Sequence, residues 1–199
     1  MTAGRRWLAP ALLLLALGAC GEEGSPPGST PTPRVTPTPA PRPSPPFTRG
    51  PDPTRSGLEA NAGPFAVGTL EIERAGAAGY GGGTISHPAD AGEGPFAVVA
   101  VTPGFYGVRY SMSWLGPRLA SHGFVVIVID TLQPNDNAHQ RAQQLAAALD
   151  QVVAFGNTEG HTLHGRTDGY RRGVIGHSYG GGGALLAGID DPSLRAVIP

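Results

Sequence analysis

The chain has 199 residues, of which 40% are hydrophobic and 15% are charged, and its formal net charge is −1. Because 14 basic residues nearly balance 15 acidic ones and no Lys/Arg run exceeds a short pair, the composition argues against a nucleic-acid partner. The single cysteine, Cys20, excludes an internal disulfide within these residues.

Residues 1–20 contain, in sequence, the parts of a bacterial secretion signal: basic residues, an apolar run and a cleavage-site motif. Arg5 and Arg6 precede an apolar run, residues 8–17, that is shorter than the about 20 residues needed to span a bilayer. The end of the signal, Leu17-Gly18-Ala19-Cys20, is similar to a lipobox, in which the cysteine sulfur carries diacylglycerol. We therefore expect a secreted protein that is lipid-anchored to the cell envelope, at its outer surface or in the periplasm. An ordinary signal peptide with a chance cysteine is the alternative, and the residues after Arg6 fit a twin-arginine signal poorly.

Residues 21–56 form a predicted linker. Roughly a third of the segment is proline, mostly in Thr-Pro and Arg-Pro pairs, and large apolar residues are almost absent. Such a composition cannot bury enough surface to offset the entropy of ordering. We expect a disordered, extended tether between the lipidated cysteine and the folded part, with no chemistry of its own.

Residues 57–199 are predicted to be the amino-terminal part of an α/β catalytic domain. The predicted strands carry alternating or continuous apolar residues: 67–73, 82–87, 96–101, 124–129, 173–176 and 196–198. The predicted helices carry apolar residues at helical spacing: 110–122, 138–155 and 179–188. In the first of these, Pro117 suggests a late start or a kink. Two early strands followed by strand-helix alternation favour a mainly parallel central sheet with helices on both faces.

The sequence Gly176-His177-Ser178-Tyr179-Gly180 matches G-x-S-x-G between a predicted strand and a predicted helix. A serine hydroxyl needs a base to become a good nucleophile, and a sharp strand-to-helix turn exposes it to base and substrate. Glycines two residues to either side relieve the crowding of such a turn. Ser178 is therefore the candidate nucleophile of an α/β-hydrolase fold; a glycine-rich turn with an incidental serine is the alternative.

An oxyanion hole requires two backbone N–H groups directed at one oxygen. In this fold one comes from the residue after the nucleophile, here Tyr179, and the other from the loop after the third strand. That loop is Thr102-Pro103-Gly104-Phe105-Tyr106-Gly107, in which Phe105 is the predicted donor. An aromatic core residue in a Gly/Pro turn is the alternative interpretation of Phe105.

The acid and base of a catalytic triad should follow the serine in the chain. After Ser178 only Asp190 and Asp191 remain, at the end of the nucleophile's own helix, and no histidine follows. The earlier histidines are interpreted as surface or loop residues: His87, His122, His139, His161, His164 and His177. We expect neither a metal site, for which His161 and His164 would be a weak pair, nor a cofactor.

The triad Asp and His are accordingly expected beyond residue 199, in a remainder of about a hundred residues. The fold would then be incomplete at the carboxy terminus, and the 199-residue piece alone is expected to be inactive and unstable. An observation of Ser178-dependent ester hydrolysis by this piece would contradict that expectation.

Several further segments have a recognisable sequence: 63–67, 79–85, 103–105, 129–131 and 192–196, together with the more specific 114–126 (WLGPRLASHGFVV) and 176–183 (GHSYGGGG). In these segments, from about Gly57 onward, the chain resembles the bacterial cutinases and poly(ethylene terephthalate) (PET) hydrolases. The resemblance implies an acyl-enzyme on Ser178, oxyanion N–H groups from Phe105 and Tyr179, and an open cleft without a lid. Phe105, Tyr179 and His177 would line that cleft.

Two departures from the family pattern are visible. Tyr179 replaces the methionine that usually follows the nucleophile, and residues 132–140 do not follow the family's residues although their length fits. The family's carboxy-terminal disulfide would also lie beyond residue 199, as the resemblance implies.

The function predicted from these features is a monomeric serine ester hydrolase of cutin-like or PET-like polyesters. A lipase or short-chain esterase on the same fold is one alternative. A lipoprotein that has lost its triad and serves as a binding module is the other, and the rest of the reading frame would separate the two classes.

Overall fold

The computed structural model describes Asp52, residues 54–90 and residues 92–199. The predicted signal peptide, Cys20 and most of the predicted linker lie outside the described residues. The first helix, α1 (Arg55–Glu59), begins two residues before the predicted linker boundary. It is capped by Thr54, whose hydroxyl accepts a 3.0 Å hydrogen bond from the Gly57 amide.

Six strands form one sheet in the order β1-β2-β4-β3-β5-β6. Their bounds are β1 (Val67–Ile72), β2 (Gly83–Pro88), β3 (Phe96–Thr102), β4 (Phe124–Ile129), β5 (Thr167–Gly176) and β6 (Ala196–Ile198). β2 is antiparallel to both of its neighbours, β1 and β4. From β4 through β3 and β5 to β6 every pair is parallel, so the carboxyl ends of these strands meet at one edge.

Three further helices cover the sheet: α2 (Leu115–Ser121), α3 (Ala138–Asn157) and α4 (Tyr179–Asp190). Short 3₁₀ helices lie at Arg74–Gly76 and Arg109–Met112. α3 starts with a reciprocal cap: the Asn137 side chain accepts from the Gln140 amide at 3.0 Å, and the Gln140 side chain accepts from the Asn137 amide at 2.9 Å.

Side-chain alternation in the central strands divides the interior into two layers. Val98 and Ile127 face the α3 and α4 side, where they share a buried cluster with Leu145 of α3. Val101 and Val128 face the opposite side and pack near Leu115 of α2. Each fully buried aliphatic side chain of this kind contributes roughly 1.5–3 kcal/mol, so both layers stabilise the sheet. The predicted mainly parallel sheet with helices on both faces is confirmed.

In the segment 110–122, where Pro117 predicts a late helix start or a kink, the late start is confirmed. Residues Arg109–Met112 form a 3₁₀ turn, and α2 begins only at Leu115. Pro117 is the reason, because a proline lacks the amide for an i−4 bond and is tolerated only in a helix's first turn. The expected surface position of His87 is wrong: this residue lies in β2, 5% exposed, with its ring over Gly68 of β1.

Candidate active site

Ser178 lies in a two-residue turn between the end of β5 at Gly176 and the start of α4 at Tyr179. Its backbone has φ 55° and ψ −117°, a conformation that costs a non-glycine residue on the order of 1–3 kcal/mol. The side chain is exposed and does not cap the helix it precedes. Within the described residues the hydroxyl is therefore available to a base and a substrate.

Glycines allow this turn to form. A Cβ on Gly176 would collide with the Gly180 carbonyl, so the two glycines on either side of Ser178 lie against each other. A Cβ on Gly180 would lie 2.5 Å from the Pro103 carbonyl oxygen, which belongs to the loop after β3. The start of α4 and this loop are thus in backbone contact, as the predicted oxyanion hole requires.

The loop after β3 brings a second amide toward Ser178. A Cβ on Gly104 would lie 3.2 Å from the Ser178 Cβ, so the next residue, Phe105, begins beside the candidate nucleophile. Within the described residues, the amides of Phe105 and Tyr179 donate to no acceptor. The structure therefore brings Ser178 and both predicted donors into one place, with two N–H groups left available.

Aromatic rings flank the candidate nucleophile. The rings of Phe105 and Tyr179 have centroids 5.0 Å apart, and Tyr106 packs edge-on against Phe105 at 4.7 Å. All three side chains are at least 49% exposed. An apolar, aromatic surface that remains in water is typical of a binding surface rather than of a core. The interpretation of Phe105 as a core residue is therefore wrong.

His177 precedes the serine and is exposed. Its amide donates to the Thr102 carbonyl at 3.3 Å, and its carbonyl accepts from the Gly180 amide at 2.8 Å. Its Nδ1 lies 3.1 Å from where a Cβ on Gly104 would stand, so the imidazole adjoins the same loop. His177 is thus positioned beside the site, on the side of Gly104.

Tyr106 has φ 54°, and it and Ser178 are the described non-glycine residues with positive φ. Both lie at the site. The Tyr106 amide donates to the Pro134 carbonyl at 2.8 Å, which ties the loop after β3 to the loop after β4. The sequence gives no signal for this conformation, since tyrosine rarely adopts it.

Arg141 is a second residue that the sequence reasoning missed. It is fully buried in α3, yet it makes hydrogen bonds to three backbone carbonyls, those of Asp136, Pro103 and Pro134. Burial lowers the pKa of the Arg141 guanidinium and Asp136 raises it, with burial the larger cause. A signal existed: Arg141 stands four residues before Leu145, so helical spacing places a charged residue on the apolar face of α3.

Asp190 and Asp191 end α4, as expected, and Asp191 has a structural role. Its carboxylate lies 2.8 Å from the Arg172 guanidinium and accepts hydrogen bonds from Ser193. Burial raises the pKa of Asp191, but the Ser193 hydrogen bonds and the Arg172 charge outweigh it, so the pKa lies below its ordinary value. A carboxylate held this way belongs to an ion pair at the far end of the helix.

His161 and His164 form a local turn. The His161 ring stacks on Phe155 with centroids 4.3 Å apart, and its Nδ1 faces the Leu163 amide at 3.1 Å. Among residues 52–199, leaving aside 53 and 91, no group of three or more His, Cys, Asp or Glu is arranged to hold a metal ion. In the same part of the chain no helix has both the length and the apolar character needed to cross a bilayer.

The family description that matches the chain is "PETase: PET hydrolase-like", over residues 42–199. The chain belongs to this family. Its α/β-hydrolase fold is thereby confirmed together with the mixed six-stranded sheet. The match includes both the turn that carries Ser178 and the loop that carries Phe105.

Curated relatives agree with this membership. The chain is similar to "Cutinase 1" of Thermobifida cellulosilytica, 46% identical over 154 residues that cover 77% of this chain and 57% of that protein. It is also 46% identical over 154 residues to "Bis(hydroxyethyl) terephthalate hydrolase" of Streptomyces coelicolor, and the match covers 48% of that protein. The PET hydrolase-like chain therefore spans about half the length of the curated relatives it matches.

Proposed function

We propose that the full-length protein is a serine carboxylic ester hydrolase that acts on polyesters of the cutin or PET type. One observation carries the proposal. The exposed Ser178 hydroxyl stands on a positive-φ turn beside two available amides, those of Phe105 and Tyr179. This combination meets the two needs of acyl transfer, an accessible nucleophile and donors for a developing oxyanion.

In the proposed mechanism the Ser178 Oγ attacks the ester carbonyl carbon while a base removes the hydroxyl proton. The carbonyl oxygen becomes an oxyanion and accepts hydrogen bonds from the amides of Phe105 and Tyr179. Collapse breaks the bond to the alcohol, which leaves with the proton and gives an acyl-enzyme on Ser178. Water then attacks the acyl group and releases the acid. The Asp and His of the triad are proposed to lie beyond residue 199.

Two observations support an aromatic or polymeric ester as the substrate. The exposed rings of Phe105, Tyr106 and Tyr179 offer an aromatic surface beside the nucleophile. The matched relatives are named cutinases and a bis(hydroxyethyl) terephthalate hydrolase. A lipase or short-chain esterase would use the same nucleophile and amides, so the substrate must be decided by assay.

The test uses the full-length protein and a Ser178→Ala variant on a soluble nitrophenyl ester, tributyrin and a polyester film. We expect wild-type protein to hydrolyse the soluble ester and to release acid from the film, and the variant to lose both activities. Hydrolysis of tributyrin and the soluble ester without release from the film would support the lipase or esterase alternative. No hydrolysis of any substrate would support the non-catalytic binding module.

We further propose secretion through residues 1–20, lipidation of Cys20 and a tether over residues 21–56 that holds a monomeric catalytic domain away from the membrane. The composition of these segments supports this. The full-length protein expressed in a bacterial host should partition into detergent, and Cys20→Ser should move it to the aqueous phase. Equal partitioning of the two proteins would contradict the anchor.

A further inference from the structure

Arg141 carries a charge in a place that is costly for one. The side chain is fully buried. Its hydrogen bonds go to backbone carbonyls, and among the described residues it forms no ion pair. Burial of a cation is unfavourable, and the charge of Asp136 offsets only part of that cost for Arg141. An apolar side chain of similar volume would fill the same space at lower cost. An arginine at this position is therefore explained by its planar guanidinium, which can donate to several carbonyls at once.

Arg141 forms hydrogen bonds with two loops near the candidate oxyanion hole, the loop after β3 and the loop after β4. Its Nη1 donates to the Pro103 carbonyl at 2.9 Å, two residues before Phe105. Its Nη2 donates at 3.1 Å to the Pro134 carbonyl, which also accepts the Tyr106 amide at 2.8 Å. Arg141 also packs closely against α4, because a Cβ on Gly183 would lie 2.8 Å from the Arg141 Cβ.

Three successive peptide groups around the Phe105 amide are each oriented by one hydrogen bond. Arg141 holds the Pro103 carbonyl, the Gly107 amide holds the Gly104 carbonyl at 2.9 Å, and the Pro134 carbonyl holds the Tyr106 amide. The middle group contains the Phe105 N–H. Arg141 contributes directly to the first bond and, through Pro134, to the third. Without Arg141, the buried Pro103 carbonyl would lack a hydrogen-bond donor. The loop after β3 would then be expected to change conformation so that this oxygen reaches water or another donor.

We propose that Arg141 is a positioning residue for the oxyanion hole, which fixes the Phe105 amide opposite the Tyr179 amide by holding the carbonyls of Pro103 and Pro134. Arg141 touches neither substrate nor the reacting atoms. The inference rests on the proposed ester hydrolysis and adds a residue on which its rate depends. Loss of one oxyanion donor costs about 10²–10³ in kcat, and this sets the scale of the expected effect.

The test compares Arg141→Met and Arg141→Lys in the full-length protein. Arg166→Met is the matched control, because the Arg166 side chain also donates to two backbone carbonyls, Pro88 at 3.1 Å and Ala89 at 2.9 Å, away from Ser178. Each protein is assayed for kcat and KM on a soluble nitrophenyl ester and for thermal unfolding. Binding is measured for an octyl trifluoromethyl ketone, whose carbonyl carbon bonds to the serine Oγ and whose oxygen becomes an oxyanion, and for the unfluorinated ketone.

We expect Arg141→Met to lower kcat by about 10²-fold with KM changed less than about threefold, in the manner of a lost transition-state interaction. Affinity for the trifluoromethyl ketone should fall by a similar factor, while that for the unfluorinated ketone is kept. For Arg141→Lys, kcat and trifluoromethyl ketone affinity should lie between the values for wild type and for Arg141→Met, because an ammonium cannot satisfy all three carbonyls. Arg166→Met should lower the melting temperature but leave kcat within about threefold.

The inference is overturned if Arg141→Met keeps kcat and trifluoromethyl ketone affinity within threefold of the values for an active wild type. Should Arg141→Met fail to fold, Arg141→Lys decides by the same two readouts. Equal weakening of both ketones would also overturn it, since that would indicate a general loss of structure. A wild type that neither hydrolyses ester nor binds the trifluoromethyl ketone is a different outcome, which removes the proposed function and this inference with it.

Discussion

Gly180 and Pro103 are in backbone contact: a Cβ at position 180 would stand 2.5 Å from the Pro103 carbonyl oxygen and 2.6 Å from that of Thr102. Because both neighbours are main-chain atoms at the end of β3, neither can move aside cheaply. The contact joins the turn that carries Ser178 to the loop that carries Phe105. The distance between nucleophile and oxyanion donor therefore depends on the absence of a side chain at Gly180.

Gly180→Ala should accordingly destabilise the protein and separate the two halves of the site. We expect a loss of about 2–3 kcal/mol, which for a protein of this size is a melting-point decrease of roughly 5–10 °C, together with lower ester hydrolysis. Gly76→Ala is the control, because a Cβ there has nothing within 4 Å and the backbone needs no positive φ. Equal melting temperatures for the two variants would contradict this prediction, because they would show that the loop after β3 accommodates a Cβ at position 180 without loss of stability.

The backbone strain at Ser178 predicts an unusual pair of substitutions. Ser178→Ala and Ser178→Gly both remove the hydroxyl, but only glycine adopts φ 55° and ψ −117° without steric cost. We expect Ser178→Gly to be more stable than Ser178→Ala by about 1 kcal/mol after glycine's greater unfolded-state entropy is offset. Chemical denaturation measures the difference. A more stable alanine variant would mean that the turn is relaxed in solution.

The ring contact between Phe105 and Tyr179 predicts a substrate-dependent effect. Tyr179→Ala keeps the backbone donor, so kcat/KM for a nitrophenyl acetate should stay within about threefold. Loss of an aromatic partner costs about 0.5–1.5 kcal/mol, so release from an aromatic polyester film should fall by roughly 3- to 10-fold. Tyr170→Ala, which changes a side chain that is 55% exposed on β5, is the matched control. A parallel loss on both substrates would contradict a role confined to the aromatic surface.

The pH dependence of stability should report on Tyr80. This side chain is 1% exposed and donates to the Gln151 side chain at 2.7 Å, and burial raises the pKa of its phenol to about 12. Because the folded pKa lies above the unfolded value near 10, the protonated phenol's contribution is fully present below about pH 10 and is lost as pH rises toward 12. The stability difference between wild type and Tyr80→Phe should therefore shrink between about pH 10 and 12. A difference that stays constant across this range would show that Tyr80 ionises as it does in the unfolded chain.

Much of the framework follows from short-range patterns in the sequence. The run 124–129 is continuously apolar, with β-branched residues after Phe124, and forms β4 with the predicted bounds, because both faces of that strand are covered. The motif around Ser178 was recognisable because a strand, a sharp turn and a helix follow in immediate succession. The position of the loop that contains Phe105 could be predicted from the order of elements, because the loop after the third strand meets the turn at one sheet edge.

What the sequence could not give depends on contacts between distant segments. β5 was predicted only over 173–176, whereas it extends from Thr167, because its first half carries charged residues that find partners in the fold. Arg172 of β5 pairs with Asp150 at 3.2 Å and with Asp191 at 2.8 Å, next to an irregularity in the pairing with β3. Arg141 likewise acquires its meaning from Pro103 and Pro134, which lie 38 and 7 residues away along the chain.

The central claim is that Ser178 is an activated nucleophile, and covalent labelling tests it most directly. The full-length protein and its Ser178→Ala variant are incubated with a fluorophosphonate, and the adduct is located by peptide mass spectrometry. The account predicts one adduct, on Ser178, that forms in step with the loss of ester hydrolysis and is absent from the variant. An active protein labelled at another residue, or an active Ser178→Ala variant, would contradict it.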